Sequence, residues 1–309
     1  MAALTLLEAS KLNNYTEFQS AVVEIYSGSS DVLRVLPFQD IAGNSYSYNQ
    51  ETTLPGIGFR GYNEAYTAAF GILNPVTERL VIAGGEVDVD KAIDKTMPGN
   101  REVQEEMQIR ALGLAWTRKF IKGDQTSDPR EFDGLQTRIT GDQLLSAGTT
   151  SGGAALSLAK LDELIDQCMN CTHLLMSKAL ARRFSAAARS SSVGGYITFD
   201  KNEFGRRVMA YDGKEILTVD LDNTETAILP YTEAAYTGGS TATSIYALSI
   251  GPGMVTGLQH ESGMEVSDLG ELESKPAYRT RIEWMSGIMI QHGRAAARLR
   301  HIGDLAIVA

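Results

Sequence analysis

Between Ile41 and Leu80 the chain carries Gly43, Pro55, Gly56, Gly58, Gly61, Gly71 and Pro75, a set that no helix tolerates. Tyr46 and Tyr48 alternate with serine there, and Ile57 and Phe59 alternate with glycine, which is the period of extended chain. A stretch of this length without a core of its own is uncommon inside a compact domain. Folded as a hairpin with arms of about twenty residues, it reaches roughly 60 Å at about 3.3 Å per residue. One globule made from 309 residues has a radius of gyration of only about 19 Å. The segment is therefore expected to project past its own body and to need a partner for its apolar residues.

The rest of the chain has the means to build that body. Hydrophobic residues make up 43% of it, enough for one large or two modest domains. Leu4–Leu12 and Phe18–Tyr26 look helical in part, but each is too short to be stable alone, which suggests an arm that orders on a neighbouring surface. Glu86-Val87-Asp88-Val89-Asp90 alternates as a strand with both valines on one face and a solvated acidic face. A helix follows from about Arg101 to Lys122, with Asn100 as its N-cap and Gly123 as its stop. Ile109, Leu112, Trp116 and Phe120 form one apolar face of this helix, and Val103, Met107, Ala111 and Leu114 form a second. That pattern predicts a central beam packed on more than one side.

After Lys122, Asp128–Leu135 reads as a turn leading into a short strand, and Gly148–Gly153 as a loose linker. Helices are expected over Ala154–Met169 and Ala179–Arg189, with a strand at Thr172–Met176 between them. Strands and turns alternate from Tyr196 to Val219. Further strands are expected at Ile245–Ile250, Met254–Gln259, Met264–Leu272 and Tyr278–Met285. In the last of these, Arg279, Arg281 and Glu283 share one side. The mixed order of elements makes the fold class α+β.

Several function classes fit poorly. A net charge of −10 argues against nucleic-acid binding, which uses clustered Lys and Arg, although an acidic wall can surround DNA without sticking to it. No run of eighteen apolar residues and no secretory leader is present, so neither a membrane span nor export is expected. Cys168-Met169-Asn170-Cys171 is a C-x-x-C with His173 two residues on, but there is no second cysteine pair for a structural zinc. The motif also closes a helix, whereas a thioredoxin-like site opens one. His173, His260, His292 and His301 are scattered, and a solvated or interface role suits His292 and His301, which lie near Arg294, Arg298 and Arg300. Gly251–Gly257 is one residue too long for a dinucleotide fingerprint and leads into no helix. No catalytic, cofactor-binding or metal-binding residue is assigned, and no enzyme is expected.

Three groups of strings carry a resemblance. The first is Tyr48-Asn49-Gln50-Glu51 and Leu54-Pro55, followed by Gly84–Asp90. The second is Phe120-Ile121-Lys122-Gly123-Asp124, followed by Phe132-Asp133-Gly134-Leu135. The third runs through Gly257-Leu258-Gln259, Asp268–Leu272, Arg279–Trp284, Gly287-Ile288 and Arg294–Leu299. In this order and spacing the chain resembles the siphophage-like major capsid proteins of tailed bacteriophages, whose HK-type capsid fold is shared with encapsulins.

The resemblance implies an N-arm over 1–40, an E-loop over 41–80 and a P-domain over 81–150 that contains the spine helix at about 101–122. It further implies an A-domain over 151–259, P-domain return strands over 260–285, and a C-terminal segment over 286–309 that returns to the A-domain. Pentamers and hexamers of such a subunit close an icosahedral shell around phage double-stranded DNA. The expected partners are further copies of itself, a portal, a separate scaffolding protein (or an extension already removed) and a decoration protein. The expected location is the virion, after synthesis in the host cytoplasm. No lysine occurs between Ile41 and Leu80, so the lysine–asparagine crosslink of some family members is not expected. The alternatives are an encapsulin-like compartment, a cytosolic thiol or metal enzyme around Cys168, Cys171 and His173, and a soluble binding module.

Overall fold

A computed structural model describes residues 30–96, 99–189, 197–201 and 207–308. The two short helical stretches expected before Ser27 lie outside the described residues. Two sheets share one core, and among the described residues a third, two-stranded ribbon pairs with neither.

The smaller sheet has four strands: β1 (Phe38–Ile41), β4 (Val81–Asp90), β11 (Val255–Glu271) and β12 (Ala277–Ile290), in the order β1-β11-β12-β4. The two strands expected at Met254–Gln259 and Met264–Leu272 are one long strand, β11, whose register slips between Gln259 and Met264. Alternation along β12 turns Thr280, Ile282, Trp284 and Ser286 inward and Arg279, Arg281, Glu283 and Met285 outward.

The long helix α3 (Asn100–Lys122) lies across the inward face. It is the third helix in chain order, after α1 (Asp31–Val35) and α2 (Lys91–Thr96). Ile109, Leu112, Trp116 and Phe120 are buried as expected. The rings of Phe38, Trp116, Phe132 and Trp284 meet at centroid distances of 5.2 to 5.8 Å, a range in which aromatic pairs add to simple burial. Phe38 lies over Gly257, where any side chain would strike its ring. The two buried indoles are both satisfied: Trp116 Nε1 donates to Ser286 Oγ at 3.0 Å and Trp284 Nε1 to Gln259 Oε1 at 3.3 Å.

Two expectations about this region change, and the stop at Gly123 holds through close packing. Gly99, in the left-handed region at φ 88°, is the N-cap, and Asn100 is the first helical residue, with no side-chain cap. Gly123 stops the helix by close approach: its φ is −58°, but a Cβ there would collide with the carbonyls of Phe132 and Lys119. Gly134 is equally confined, and its N–H donates to the Gly123 carbonyl at 2.9 Å, so the two glycines clamp the following turn onto the helix end. After Gly134 the chain forms a helical turn, α4 (Leu135–Arg138), in place of the expected short strand, because that turn buries Leu135 completely.

The larger sheet has seven strands: β5 (Leu144–Ser146), β6 (His173–Ser177), β7 (Ile197–Lys201), β8 (Arg207–Tyr211), β9 (Lys214–Val219), β10 (Ala242–Leu248) and β13 (Ala296–Gly303). Their order is β5-β13-β10-β6-β9-β8-β7. Every residue of β10 is buried, and period-two alternation sends its side chains to different layers. Tyr246 and Leu248 join the core under α3. Ile245 and Ala247 join a second core, under α5 (Leu158–Gln167) and α6 (Lys178–Ala187). Helix α5 starts later than expected, because Ala154 and Ser157 form bridges to Ile302 and Val308. No helix among the described residues is long and apolar enough to cross a membrane.

Candidate assembly surface

Strands β2 (Ser45–Thr53) and β3 (Ile72–Arg79) form the ribbon, and among the described residues they pair only with each other. Its base is held to the body. Ile41, Leu258 and Met289 form a small core on which Tyr46, Tyr48 and Leu80 pack. The Tyr48 hydroxyl donates to the Ile290 carbonyl at 2.9 Å, with the Glu78 carboxylate 3.3 Å away. Burial, then the Glu78 charge, pushes the Tyr48 phenol up to about 12. Arg138 forks onto Glu78 with both terminal nitrogens, one of them at 2.7 Å. Such a partly desolvated bidentate pair fixes direction as well as distance. Arg79 donates to the carbonyls of Pro129 and Glu131. The ribbon is thus an extended lever with a clasped base.

Its far end has no such support. Residues 54–71 join β2 to β3 with no helix or strand. Leu54, Ile57, Phe59, Tyr62, Tyr66 and Phe70 are all exposed, Phe59 at 105% of its reference area and Phe70 at 85%. The polar contacts at the tip are local: the Glu64 carboxylate accepts from Gly61 N–H at 2.8 Å, and Arg60 lies over the Tyr66 ring at 5.1 Å. Full burial of a large apolar side chain is worth about 1.5–3 kcal/mol, so these six represent a gross gain on the order of 10 kcal/mol left unrealised in the lone chain. Contiguous exposed apolar groups of this kind mark an interaction surface.

Two further patches face solvent. Val103 and Met107 on α3 are 52% and 58% exposed, so the expected second packing face of the helix is open along its N-terminal half. On the outer face of the four-stranded sheet, the acidic alternation is paired rather than merely solvated. Asp88 lies opposite Arg279 and Glu86 opposite Arg281 in register. Arg279 grips Asp88 at 2.6 and 2.8 Å, Lys275 joins it at 2.6 Å, and Arg281 reaches Glu86 at 2.6 Å. Hydrogen bonds from Arg279, then Lys275, hold the Asp88 carboxyl well below the usual range. Farther along the same face, Ile82 and Met285 are exposed opposite partners, and Glu265 lies directly across from Glu283. Like charges so placed repel in the isolated sheet.

The residues weighed for chemistry do not converge. Cys168 and Cys171 are free thiols at the end of α5. His173 turns to Thr172, His260 to Ser262, and His292 accepts from the Arg294 N–H within its own turn. His301 departs from the solvated or interface role: it is buried in β13, 2.9 Å from Ser146 Oγ, with Tyr236 edge-on at 5.7 Å. Burial, then Arg300 and Arg298, lower its pKa. Among the described residues, no group of three or more His, Cys, Asp and Glu side chains is placed to hold a metal ion.

No family model matches the sequence. No curated protein matches it either. Solved structures do match the fold. The holo-SrpI encapsulin complex from Synechococcus elongatus PCC 7942 is 17% identical at a TM-score of 0.63, with 99% of each chain covered. The capsid of the native GTA particle is 14% identical at 0.61, covering 89% of this chain and 91% of that one. The phage G structure of major capsid and decoration proteins is 12% identical at 0.55, covering 86% and 87%. The chain therefore has the α+β HK-type capsid fold that the sequence resemblance implied.

Proposed function

We propose that the chain is a structural subunit of a closed protein shell, the major capsid protein of a tailed bacteriophage, and that it works by assembly rather than catalysis. The observation that carries this reading is the clasped ribbon with its bare apolar end, on a body with the capsid fold. In this reading residues 1–40 are the N-arm and 41–80 the E-loop. The spine helix and β4 lie in the P-domain (81–150), and most of β11 and β12 are its return strands (260–285). Residues 151–259 and 286–309 make the A-domain. The exposed end of the E-loop is buried on a neighbouring copy. Pentamers and hexamers close the shell around double-stranded DNA, which the acidic chain encloses without binding by sequence. A scaffolding protein, a portal and a decoration protein complete the particle, and the mature location is the virion.

A small net gain per contact suits reversible assembly, because each subunit in a closed shell holds several neighbours at once. Expression of the chain alone, and then with a co-expressed scaffolding protein, followed by electron microscopy and light scattering, tests the reading. Closed shells, or rings of five and six, are the expected products. A chain that stays monomeric at high concentration in both settings contradicts it.

A second reading, an encapsulin-like compartment, is favoured by one observation. The encapsulin match extends over 99% of both chains, against 86–89% of this chain for the two capsids described. Particle contents separate the two: nuclease-protected DNA marks a capsid, and co-purifying protein cargo marks a compartment.

A further inference from the structure

The C-x-x-C motif has no part in the shell reading, yet its surroundings are unusual. Cys168 caps the end of α5, and Met169 and Asn170 form a turn, Asn170 in the left-handed region at φ 52°. A turn of four residues brings its end Cα atoms within about 7 Å, and disulfides span about 4.4–6.8 Å between Cα atoms. Each thiol faces a carbonyl, Cys168 Sγ that of Ala295 at 3.5 Å and Cys171 Sγ that of His173 at 3.6 Å.

The turn sits on a seam. The chain passes from the seven-stranded sheet to the four-stranded sheet between β10 and β11, and returns between β12 and β13. The turn is bonded to both crossings. Thr172 N–H donates to the Leu248 carbonyl at 3.0 Å, and Ile250 N–H to Thr172 Oγ1 at 3.0 Å. Met169 N–H donates to the Arg294 carbonyl at 2.8 Å, and the Arg294 guanidinium to the Asp166 carbonyl at 2.9 Å.

The thiols are chemically unequal. Cys168 is buried, and Cys171 is only half-buried. The neighbouring Cys168 thiol lowers the Cys171 pKa against the effect of burial, with Lys214 acting in the same direction, and the Cys171 thiol together with burial raises that of Cys168. A more exposed, more acidic thiol beside a buried one is the arrangement of an attacking and a resolving cysteine.

From this geometry we infer that Cys168 and Cys171 form a reversible intrachain disulfide, a redox-modification site at the seam between the two sheets, whose oxidant is a low-molecular-weight disulfide. The Cys171 thiolate attacks one sulfur of the oxidant, forms a mixed disulfide and expels one thiolate. The Cys168 sulfur, after losing its proton, attacks Cys171 Sγ and expels the second. Two protein thiols are oxidised and one disulfide is reduced to two thiols, so atoms and electrons balance. Closure removes the S–H facing the Ala295 carbonyl and fixes the turn against both crossings. The inference is independent of the shell reading, since it concerns contacts within one subunit.

Oxidised glutathione, added to the folded full-length chain, is the probe. After acid quench and alkylation, trypsin releases Leu161–Lys178, which carries both cysteines. The expected result is that this peptide becomes lighter by two hydrogens and takes no alkyl group. Dithiothreitol then restores two alkylation sites. In the Cys168→Ser variant a glutathione adduct should persist on Cys171. Two alkylated cysteines after prolonged exposure overturn the inference, as does a persistent adduct in the wild-type chain or a covalent dimer on a non-reducing gel.

Discussion

Two long irregular segments, 54–71 and 220–241, invite comparison. Both lack helix and strand, and both are rich in turn-forming residues. The second is nevertheless part of the body. Ile228 and Leu229 are buried in the main core. The buried Asp222 carboxylate accepts from Thr224 N–H at 2.8 Å, from Thr226 N–H at 2.9 Å and from Arg118. Farther on, Glu233 pairs with Arg298 at 3.0 Å, both nearly buried. The first segment shows the reverse pattern, with its apolar residues outside and its polar contacts confined to itself. Irregular backbone is therefore no sign of a missing partner. The sign is apolar side chains that the chain's own body does not cover.

The sharpest way to break this comparison is to charge the bare end. Phe59→Asp combined with Phe70→Asp should leave the chain dispersed under conditions where wild type assembles. Its unfolding free energy in urea should change by less than about 0.5 kcal/mol, as for other exposed positions. A large loss of stability would mean that the tip is covered by its own subunit. Truncation of the other segment should act oppositely. Leu229→Ala is expected to cost about 2–5 kcal/mol in the same assay, the usual range for an emptied core site, whereas Leu54→Ala should be near neutral.

Asp222→Ala comes next. It leaves two backbone N–H groups without their acceptor, at about 1–3 kcal/mol. Burial opposes ionisation of Asp222, but the bonds from Thr224, Thr226 and Arg118 outweigh it and lower the carboxyl to about 2. A carboxyl lowered by folding contributes stability that is present above its unfolded value near 4 and lost as pH falls through about 2. Urea titrations between pH 5 and 2 should accordingly show a shallower acid loss in Asp222→Asn than in wild type.

The smallest effect concerns the clasp at the base. Tyr48→Phe deletes the bond to the Ile290 carbonyl, a change of about 0.5–1.5 kcal/mol. Because folding raises this phenol to about 12, its contribution is intact below the unfolded value near 10 and lost as pH rises through 12. Ultraviolet titration should show one high-pH phenolate fewer in the variant.

How much of this was legible beforehand varies with the range of the interaction. The body of α3 and the extended ribbon follow from periodicity and from breakers, which are local signals. Ala154 and Leu156 look helical in sequence, yet that stretch serves as a bridge to β13 and the chain's last residues, contacts nearly 150 positions away. Asp88 gave no hint that Arg279 neutralises it, since register across β4 and β12 is set by the whole sheet. Val103 and Met107 expose a different limit. Apolar spacing says that a face seeks cover, but not whose atoms supply it. The seam position of Cys168 and Cys171 was likewise invisible, because its contacts come from residues 248–250 and 294–295.

Hydrogen–deuterium exchange of the same chain, dispersed and assembled, tests the central claim most directly. The account predicts that residues 54–71 exchange freely when dispersed and become strongly protected on assembly, while 220–241 are protected in both states. Equal, fast exchange of 54–71 before and after assembly would contradict it, because the bare end of the ribbon would then have no partner to find.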